Sequence, residues 1–508
     1  MKQKFIFVVI TVFLSIVFSS IASSNIIVNE NDNLKETQSI SIDAIHQYSI
    51  SDEKNVKIVF PLSTVPVIIE RNNNFNVRYK ATDFENVYIY ISTAYEPIVD
   101  TIPLKIENTW KTQDIYNSEV KIPSDVPEEL YNLTIVTLID NKFYYNEQPR
   151  AVNVKEEITD DFNFIHVTDL HIGDIRGFKE SIKETIGSKS IKRCINEINI
   201  LQPDFVIISG DVVFGQYYPF EYQIEYKQCY EMIQMFDVPT YLAPGNHDGY
   251  KKITCDGFEF WEKYFGPLYY SFDYGNYHFQ AINSYELPAI FRFTLMFLPI
   301  AWGGGIQEEQ LQWIESDLEN SKDANLTFQF LHHNPLWDTK KDSLIGLEYK
   351  NRESLLQLIN QYEVDMVLAG HIHVDTVNML DDTIYLTTTT PESSIDSEDG
   401  YWGYRLIEIK NGEIFSYNYK EPKYSIPSYH LNLKYINDHT AIVENELEQN
   451  INVLVKFNVP KRDYQIENGT LNMFREDTLF GQYYVTSTVP ANTNKKIELK
   501  YDKEEDFQ

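Results

Sequence analysis

The feature that most constrains the fold lies in the middle of the chain, where short apolar runs alternate with helix-like segments. Strands that alternate with helices favour a layered α/β architecture, in which helices cover the faces of a sheet. Leu311, Ile314 and Leu318 show the spacing of one helical face. The predicted strands are 162–167, 205–208, 240–243, 326–331 and 365–368, and the predicted helices are 181–200, one ending near 236, 307–319 and 353–362.

The segments on either side of this region follow a pattern of period two. Apolar residues alternate with polar ones around Val77 and again around Val455, and turn residues punctuate both segments. Such alternation predicts short strands, with an immunoglobulin-like β-sandwich at the N-terminal side and a smaller β domain at the C-terminal side. We therefore divide the chain into a leader at 1–24, a β-sandwich at 25–157, an α/β domain at 158–420 and a β domain at 421–508.

The first 24 residues have the layout of a secretory signal. Lys2 and Lys4 are basic, residues 5–18 are almost all apolar, and residues 19–23 are small and polar. This order predicts a signal peptide with a cleavage site after Ala22. The alternative is an uncleaved anchor, because the apolar stretch approaches the length that spans a bilayer. In either case we expect an exported, secreted or cell-surface protein.

Charge and cysteine content exclude several classes of partner. Lys plus Arg number 43 and Asp plus Glu number 75, so the formal net charge is −32. A chain this acidic repels phosphate backbones, so duplex nucleic acid is not an expected partner, and membrane contact is expected only through an uncleaved N-terminal segment. Cys194, Cys229 and Cys255 lack metal-binding spacing. A Cys229–Cys255 bridge and three free thiols both remain open.

Residues that bind metals follow each predicted strand of the middle region. Ligands of α/β sheets gather at the carboxyl ends of strands, so these residues are expected to converge. Carboxylates, imidazoles and amide oxygens suit Mn, Fe, Zn or Co, and one carboxylate can bridge two ions. The blocks are Asp169-Leu-His171, Gly210-Asp211, Gly245-Asn246-His247-Asp248, His332-His333-Asn334-Pro335 and Gly370-His371-Ile-His373.

These five blocks, in this order, resemble those of the calcineurin-like metallophosphoesterases, over roughly residues 160–415. The resemblance implies a four-layer αββα sandwich, here flanked by two small β-sandwich-like domains, and two divalent transition metal ions. It implies that a hydroxide bridging the ions attacks a phosphodiester or phosphomonoester, and that His247, paired with Asp248, stabilises the transition state or protonates the leaving oxygen. The implied metal ligands are Asp169, His171 and His373 for one ion, Asp211 as the bridge, and Asn246, His333 and His371 for the other.

Two histidines outside that set need a separate interpretation. His332 and His333 are neighbours on opposite faces of a strand, so only one is expected to be a ligand, and the His-x-Pro register of the family favours His333. His166 lies inside the first strand, and we interpret it as a core histidine with its hydrogen bonds satisfied.

The segment from Leu287 to Gly305 is apolar and falls between the third and fourth blocks. One hypothesis is an apolar wall or mobile lid with the triple glycine as a hinge, which would favour a hydrophobic phosphoester. The favoured alternative is a segment that packs under the neighbouring β-domain.

The expected partner is a small-molecule phosphoester, with a hydrophobic one as an option, and the oligomeric state stays open. We favour a diester, because no basic residue in the blocks is placed to hold a dianionic phosphate. Two other functions remain as alternatives. One is a metal-free, inactive surface protein that binds through its β domains, and the other is a protein phosphatase.

Overall fold

A computed structural model describes residues 50–51, 55–93, 101–174, 186–218, 220–295, 298–392, 395, 397 and 399–501. The predicted signal peptide at 1–24 lies outside the described residues. No helix among the described residues has the length and apolar character needed to cross a bilayer. The described residues belong to one unit, Tyr48–Gln508.

The N-terminal region is a sandwich of two sheets. Alternating burial along its strands, for example from Asn74 to Ala81, explains the period-two pattern, since one face of each strand lies in the core. The first sheet contains β1 (Ile50–Ser51), β3 (Val67–Glu70), β5 (Asn86–Thr93), β6 (Thr101–Pro103), β9 (Glu129–Ile139) and β10 (Lys142–Lys155). The second contains β2 (Val56–Phe60), β4 (Asn74–Ala81), β7 (Lys105–Thr112) and β8 (Ile115–Lys121).

The middle region contains two six-stranded mixed sheets. The first is built from β11 (Phe162–Val167), β12 (Phe205–Ser209), β13 (Thr240–Ala243), β22 (Gly403–Lys410), β23 (Glu413–Ser416) and β24 (Ile426–Pro427). The second is built from β14 (Tyr270–Tyr274), β15 (Tyr277–Ala281), β18 (Leu326–Phe330), β19 (Met366–Ala369), β20 (Thr376–Leu380) and β21 (Thr383–Thr387). A short hairpin, β16 (Thr294–Leu295) and β17 (Leu298–Pro299), lies between β15 and β18 in the chain.

An aromatic core joins the two sheets face to face. Phe164 of the first sheet packs edge-on against Phe279 and Phe328 of the second, with ring centroids 5.5 and 5.6 Å apart. Helices cover both outer faces, which confirms the four-layer αββα arrangement. The helices are α1 (Ile186–Leu201), α2 (Glu221–Ile233), α3 (Asn246–Gly249), α4 (Gly257–Tyr264), α5 (Glu308–Asn320) and α6 (Arg352–Gln361).

The C-terminal region is a second all-β unit with two sheets. One contains β25 (Leu431–Asn437), β26 (Thr440–Asn445), β28 (Gln465–Glu467) and β31 (Thr493–Lys500), and the other contains β27 (Ile451–Pro460), β29 (Thr470–Glu476) and β30 (Phe480–Val489). Its buried residues continue the core that lies under α1, so Ile195 shares one cluster with Val443 and Val455. This region therefore packs directly on a helical layer of the middle region.

The three cysteines, all within the described residues, are not joined by disulfides, and Cys194 and Cys229 are buried while Cys255 is half-buried. Of the two possibilities that the sequence left open, the structure thus excludes the Cys229–Cys255 bridge.

Candidate metal centre

The metal-binding blocks converge because the strands before them are parallel neighbours. Strands β11, β12 and β13 pair in parallel in one sheet, and β18 pairs in parallel with β19 in the other. Within each sheet the loops after these strands thus open at one edge, and the approach of His332 to Asp211 and of His373 to Asp169 shows that the two sheets share that edge. Each loop carries one of the predicted blocks, as expected for the carboxyl ends of parallel strands.

The backbone of these loops is strained at the residues that carry the chemistry. Left-handed φ values are rare outside glycine and cluster at functional sites. They occur at five predicted ligands, namely Asp169 (55°), His171 (45°), Asp211 (51°), His371 (78°) and His373 (54°). This conformation turns each side chain back from its strand end toward the common edge.

Two glycines let the loops approach one another. A Cβ on Gly245 would lie 2.2 Å from Oδ1 of Asp211, and a Cβ on Gly370 would lie 2.0 Å from Oγ1 of Thr168. Any side chain at either position would displace the carboxylate-bearing loops. The sequence-based expectation of close backbone approach at these glycines is met.

Three of the predicted ligands form a compact group. His171 and His373 bring their Nε2 atoms to 3.2 Å from each other, and Nε2 of His373 lies 3.3 Å from Oδ1 of Asp169. The other oxygen of Asp169, Oδ2, accepts hydrogen bonds from Thr168 Oγ1 and from the backbone N–H of His371, both at 3.0 Å. Only Oδ1 therefore faces the histidines. Two imidazoles and one carboxylate oxygen suit a divalent transition metal ion.

Asp211 lies between this group and the remaining predicted ligands. Its Oδ1 accepts the backbone N–H of His247 at 2.8 Å, which fixes the orientation of the carboxylate. Its Oδ2 lies 3.7 Å from Nε2 of His171 and 3.0 Å from Nε2 of His332. A carboxylate oxygen that faces both groups has the position expected of a bridging ligand.

His332 points into the centre. Its Nδ1–H donates to the carbonyl of Ser209 at 2.9 Å, so Nε2, which faces Asp211, is the nitrogen left to bind an ion or a proton. A backbone hydrogen bond of this kind fixes the tautomer of a metal-binding histidine. Burial opposes protonation of His332, but the carboxylates of Asp211 and Asp169 outweigh it and raise the pKa of the histidine to about 9 in the chain alone.

His333, by contrast, has a hydrogen-bond partner for each nitrogen. Nδ1 lies 3.0 Å from Ser284 Oγ, and Nε2 donates to the carbonyl of Trp302 at 2.9 Å. Burial is the main cause that holds the pKa of His333 well below its usual range, so the ring is neutral. The geometry therefore favours His332 as the ligand, whereas the His-x-Pro register favoured His333. His333 still lies in the second group, with its ring centroid 4.5 Å from that of His371.

Asn246 and His371 complete the second group. The amide nitrogen of Asn246 donates to Tyr250 Oη at 2.7 Å, which leaves Oδ1 as the free ligand atom. His371 is half-buried, and its Nε2 lies 3.6 Å from Oδ2 of Asp342. The ring centroid of His371 is 5.2 Å from that of His332. The second group thus offers an amide oxygen and two imidazoles, next to the carboxylate of Asp211. These ligand types, like those of the first group, suit a divalent transition metal ion.

The pattern of unsatisfied polar atoms supports cation binding. Buried polar atoms without a hydrogen-bond partner occur at several places among the described residues, and four of them, Asp169 Oδ1, His171 Nδ1, Asn246 Oδ1 and His332 Nε2, belong to this centre. Native proteins rarely leave buried acceptors unsatisfied, and an ion is one of the few explanations. Asp169 Oδ1 and Asn246 Oδ1 are lone-pair atoms of predicted ligands, and His332 Nε2, which faces the Asp211 carboxylate, is where an ion would take the place of a proton. The residues thus fit a dinuclear cation site.

Asp248 has a different role from the predicted one. Its Oδ1 accepts the backbone N–H groups of Val212 and Val213 at 3.0 and 3.1 Å, and its Oδ2 accepts that of Gly245 at 2.8 Å. The pairing of Asp248 with His247 is therefore not found. Burial, and then repulsion from Asp211, raise the pKa of Asp248 to about 7. Through these three hydrogen bonds, the carboxylate of Asp248 connects the loop that carries Asp211 with the loop that carries Asn246.

His247 is oriented by a backbone group that sequence reasoning missed. Its Nδ1 donates to the carbonyl of Phe214, so the lone pair is on Nε2. That ring lies near His171, with centroids 4.6 Å apart, and its ligand atoms cluster with those of His171 and Asp211. Burial lowers the pKa of His247 to about 3, so the ring is neutral at pH 7.

Residues that support the ligands carry no signal in the sequence. Ser209, Phe214 and Trp302 orient ring nitrogens through backbone carbonyls, which any residue type provides. His166 is confirmed as a core histidine, because its two nitrogens lie 2.7 Å from Thr388 Oγ1 and Ser209 Oγ.

The segment from Leu287 to Gly305 lies beside the centre as an anchored wall. Buried Arg292 pairs with Asp256 at 2.7 Å, and Tyr285 Oη donates to the carbonyl of Ala301 at 2.6 Å. A Cβ on Gly303 would lie 2.6 Å from Thr339, so close packing accounts for this glycine, and the lid hypothesis stays a prediction. Leu287 and Ala301 share a hydrophobic cluster with Phe258 and Trp261 of the α4 helix, and the same cluster extends to the C-terminal β region. The favoured alternative, packing under a β domain, therefore stays a prediction.

Sequence comparison agrees with this geometry. Residues 162–375 match the family of calcineurin-like phosphoesterases. The chain is 29% identical over 242 residues to a probable glycerophosphodiester phosphodiesterase, GpdQ, of Arcobacter nitrofigilis. That alignment covers 46% of this chain and 79% of the relative.

Solved structures with similar regions include a purple acid phosphatase from yellow lupin seeds. That likeness has a TM-score of 0.39 and 14% identity, and covers 74% of this chain and 70% of the lupin protein. Another is GAP50, described as the anchor in the inner membrane complex of Plasmodium, with a TM-score of 0.33 and 15% identity over 51% of this chain and 88% of GAP50.

Proposed function

Because residues 162–375 place the chain in the calcineurin-like phosphoesterase family, and the chain is therefore a phosphoric ester hydrolase, we propose that it hydrolyses phosphodiesters at a dinuclear metal centre. The observation that carries this proposal is the convergence of ligand atoms at one edge of the sandwich. The ligand atoms of Asp169, His171 and His373 lie within 4.8 Å of one another, as do those of His332, His333 and His371. The carboxylate of Asp211 lies between the two groups and faces His171 and His332.

The proposed ligand assignment follows the orientation of each side chain. Asp169, His171 and His373 would hold one cation, and Asn246, His332 and His371 the other, with Asp211 shared. Bound Mn, Fe, Zn or Co ions would neutralise the phosphate and lower the pKa of water, which is the chemistry that such sites supply. This assignment replaces His333 with His332.

His247 would act next to the reacting phosphate. Its Nδ1–H is held by the carbonyl of Phe214, so Nε2 is available as a hydrogen-bond acceptor. Because burial lowers its pKa to about 3, the ring is unprotonated at neutral pH. A neutral imidazole would accept a proton or hydrogen bond from the attacking water or from the substrate, and would not donate a proton to the leaving oxygen.

The distribution of cations supports a diester over a monoester. A monoester carries a second negative charge that needs a neutralising side chain. Lys252 and Arg292, the buried cations near the Asn246 loop, are already paired with Glu221 and Asp256. Arg405, buried behind β11, is paired with Asp375 at 3.0 Å. The Arcobacter relative, a probable glycerophosphodiester phosphodiesterase, points to the same bond type.

Export is part of the proposal. Its support is the signal-like sequence of residues 1–24, with a basic start, an apolar stretch and a small-residue cleavage site after Ala22. Edman sequencing of the protein recovered from the medium of expressing cells would test it, and a chain that starts at Met1 inside the cell would contradict it.

The test of the activity compares three esters with the same enzyme. Bis-p-nitrophenyl phosphate, glycerophosphoethanolamine and p-nitrophenyl phosphate are incubated with protein supplied with Mn, Fe, Zn or Co. The proposal expects turnover of the two diesters to exceed that of the monoester, and expects His247→Asn to lower diester turnover by about 10²–10⁴-fold. Faster monoester turnover would contradict the diester assignment, and dephosphorylation of phosphopeptides alone would favour a protein phosphatase.

A further inference from the structure

The wall beside the metal centre is built as a small irregular sheet. Lys251 exchanges backbone hydrogen bonds with Arg292 and Thr294 at 2.9 Å each. Ile300 donates to Phe293 at 3.0 Å, and Leu344 donates to Ile300 at 2.8 Å. Four chain segments, at 251, 292–295, 298–302 and 342–344, thus lie side by side. We call them the wall sheet.

One end of the wall sheet reaches the metal centre. The carbonyl of Trp302 accepts the Nε2–H of His333 at 2.9 Å, and Oδ2 of Asp342 lies 3.6 Å from Nε2 of His371. The N–H of Trp302 donates to the carbonyl of Asp342 at 2.7 Å, which joins the two segments at this end. The wall sheet therefore has a fixed position relative to the proposed ligands.

The opposite end carries exposed apolar side chains. The chain directions place Ile253, Leu298 and Ile345 at this end, because 251 pairs with 293 in parallel and 301 pairs with 343 in antiparallel fashion. Leu344, at the level of Ile300, precedes Ile345 and adjoins this end. The exposed fractions of Ile253, Leu298, Leu344 and Ile345 are 90%, 62%, 58% and 59%. Clustered exposed apolar residues mark an interaction surface, whereas single ones do not. We call these four residues the apolar rim.

Aromatic and basic residues adjoin the rim. Lys252, next to Ile253, donates to the carbonyl of Tyr218 at 2.6 Å, and Tyr218 and Phe220 are 53% and 65% exposed. Aromatic side chains of this kind are typical of membrane–water interfaces. Lys340 and Lys341 are exposed and immediately precede Asp342, but Lys340 pairs with Glu348 at 2.8 Å, and buried Lys252 pairs with Glu221. The exposed apolar and aromatic side chains, and not charge, therefore favour a lipid surface.

From these positions we infer that the apolar rim docks on a lipid bilayer and that the substrate is a membrane lipid phosphodiester. The inference rests on the proposed diesterase function and names the substrate class. Leu298 lies four residues from Trp302, or about 13 Å along a strand. Interfacial segments insert about 5–10 Å into the boundary of head groups and acyl chains. Insertion of the rim would thus bring the metal centre to the depth of the lipid phosphates.

The test uses the full mature chain, vesicles and a matched control. Vesicles of phosphatidylcholine, with and without phosphatidylglycerol, are mixed with wild type, with Leu344→Ser/Ile345→Ser, and with Ile436→Ser/Leu479→Ser. The control pair lies in the C-terminal region and is equally exposed, at 60% and 68%. Binding is measured by co-sedimentation, and hydrolysis is measured on the vesicle lipid and on bis-p-nitrophenyl phosphate.

We expect the rim variant to bind vesicles about 100-fold more weakly than wild type. Loss of each buried apolar side chain weakens binding about tenfold, and the variant loses two. The ratio of lipid to bis-p-nitrophenyl phosphate hydrolysis should fall at least tenfold in the rim variant and stay unchanged in the control. Equal vesicle binding by wild type and rim variant, or no binding by wild type, would overturn the inference. A wild-type dimer in sedimentation that the rim variant loses would also overturn it, because a second copy would then cover the rim.

Vesicle binding and soluble-ester hydrolysis separate the two proposals. If bis-p-nitrophenyl phosphate is hydrolysed but vesicles are not bound, only the lipid inference fails. If the soluble diester is not hydrolysed under any metal condition, the diesterase proposal fails, and the lipid substrate fails with it.

Discussion

The choice between the adjacent histidines of the fourth block gives the sharpest prediction about single residues. His332→Gln removes a ring nitrogen that faces Asp211 at 3.0 Å, and His333→Gln removes a ring whose nitrogens are bonded to Ser284 and Trp302. Both rings are buried and similar in size, so the two variants are matched. Only His332 should affect the affinity for the metal.

The magnitude follows from what each ring contacts. Loss of a residue that merely supports a ligand costs about 10–100-fold in metal affinity, so loss of the ligand His332 should cost at least about 100-fold, or about 3 kcal/mol. His333→Gln should lose two buried hydrogen bonds, about 1–3 kcal/mol of stability, with a metal Kd within about threefold of wild type.

Calorimetric titration of chelator-treated protein with Mn²⁺ measures the affinity, and thermal unfolding in chelator measures the stability. The reasoning would be refuted if His333→Gln lost a metal ion while His332→Gln retained both. A loss of affinity in both variants, with unchanged unfolding in chelator, would place both histidines on the metal.

Three further predictions concern the groups around the centre. Asp248→Asn should leave the Gly245 N–H without an acceptor, costing about 1–3 kcal/mol in chemical denaturation, and should lower diester turnover; unchanged stability would argue against the three-bond role. His278 has a pKa raised to about 9 by two carboxylates that outweigh its burial, above the unfolded value of 6.5, so its contribution of about 3 kcal/mol is present below pH 6.5 and lost as pH rises to 9. The stability difference between wild type and His278→Gln in urea should shrink over that range, and a constant difference would contradict it. Arg405→Met should destabilise the fold by about 3–5 kcal/mol by leaving Asp375 buried and unpaired, and Asp375→Asn in the same chain should restore part of the loss; no recovery on urea unfolding would show that the pair is not the cause.

The strands and the blocks after them were predictable because both follow from local patterns. The predicted strands 162–167 and 240–243 coincide with β11 and β13, since buried parallel strands are continuous apolar runs. The helices 307–319 and 353–362 differ from α5 and α6 by one residue at each end. The convergence of the blocks was predictable because each block directly follows a predicted strand, and parallel strands of one sheet have their carboxyl ends at the same edge.

The orientation of individual side chains was not predictable. Adjacent His247 and Asp248 invite a pairing, but Asp248 is the third residue of a short helix and turns back to the N–H at its start, as in a capping box. The selection of His332 over His333 depends on the carbonyls of Ser209 and Trp302, which come from distant segments. The left-handed backbone at the ligands also depends on tertiary contacts.

Short or irregular elements were missed for a related reason. Helix α4 and the hairpin of β14 and β15 were not predicted, because their apolar residues are interrupted by polar ones, which face solvent in α4 and β14 and are buried in β15. The shared core between α1 and the C-terminal region was not predicted either, since periodicity within one segment does not show which segment covers it.

The central claim is that two cations bind at the edge of the sandwich and are required for hydrolysis. The most direct measurement is the metal content per chain, by mass spectrometry after chelation and reloading with Mn, Fe, Zn or Co, alongside bis-p-nitrophenyl phosphate turnover. Wild type should hold two ions and turn over only when loaded. Asp211→Asn, which removes the shared carboxylate, should hold fewer than two and lose at least about 10³-fold in turnover. Turnover without metal, or two ions and full activity in Asp211→Asn, would contradict the account.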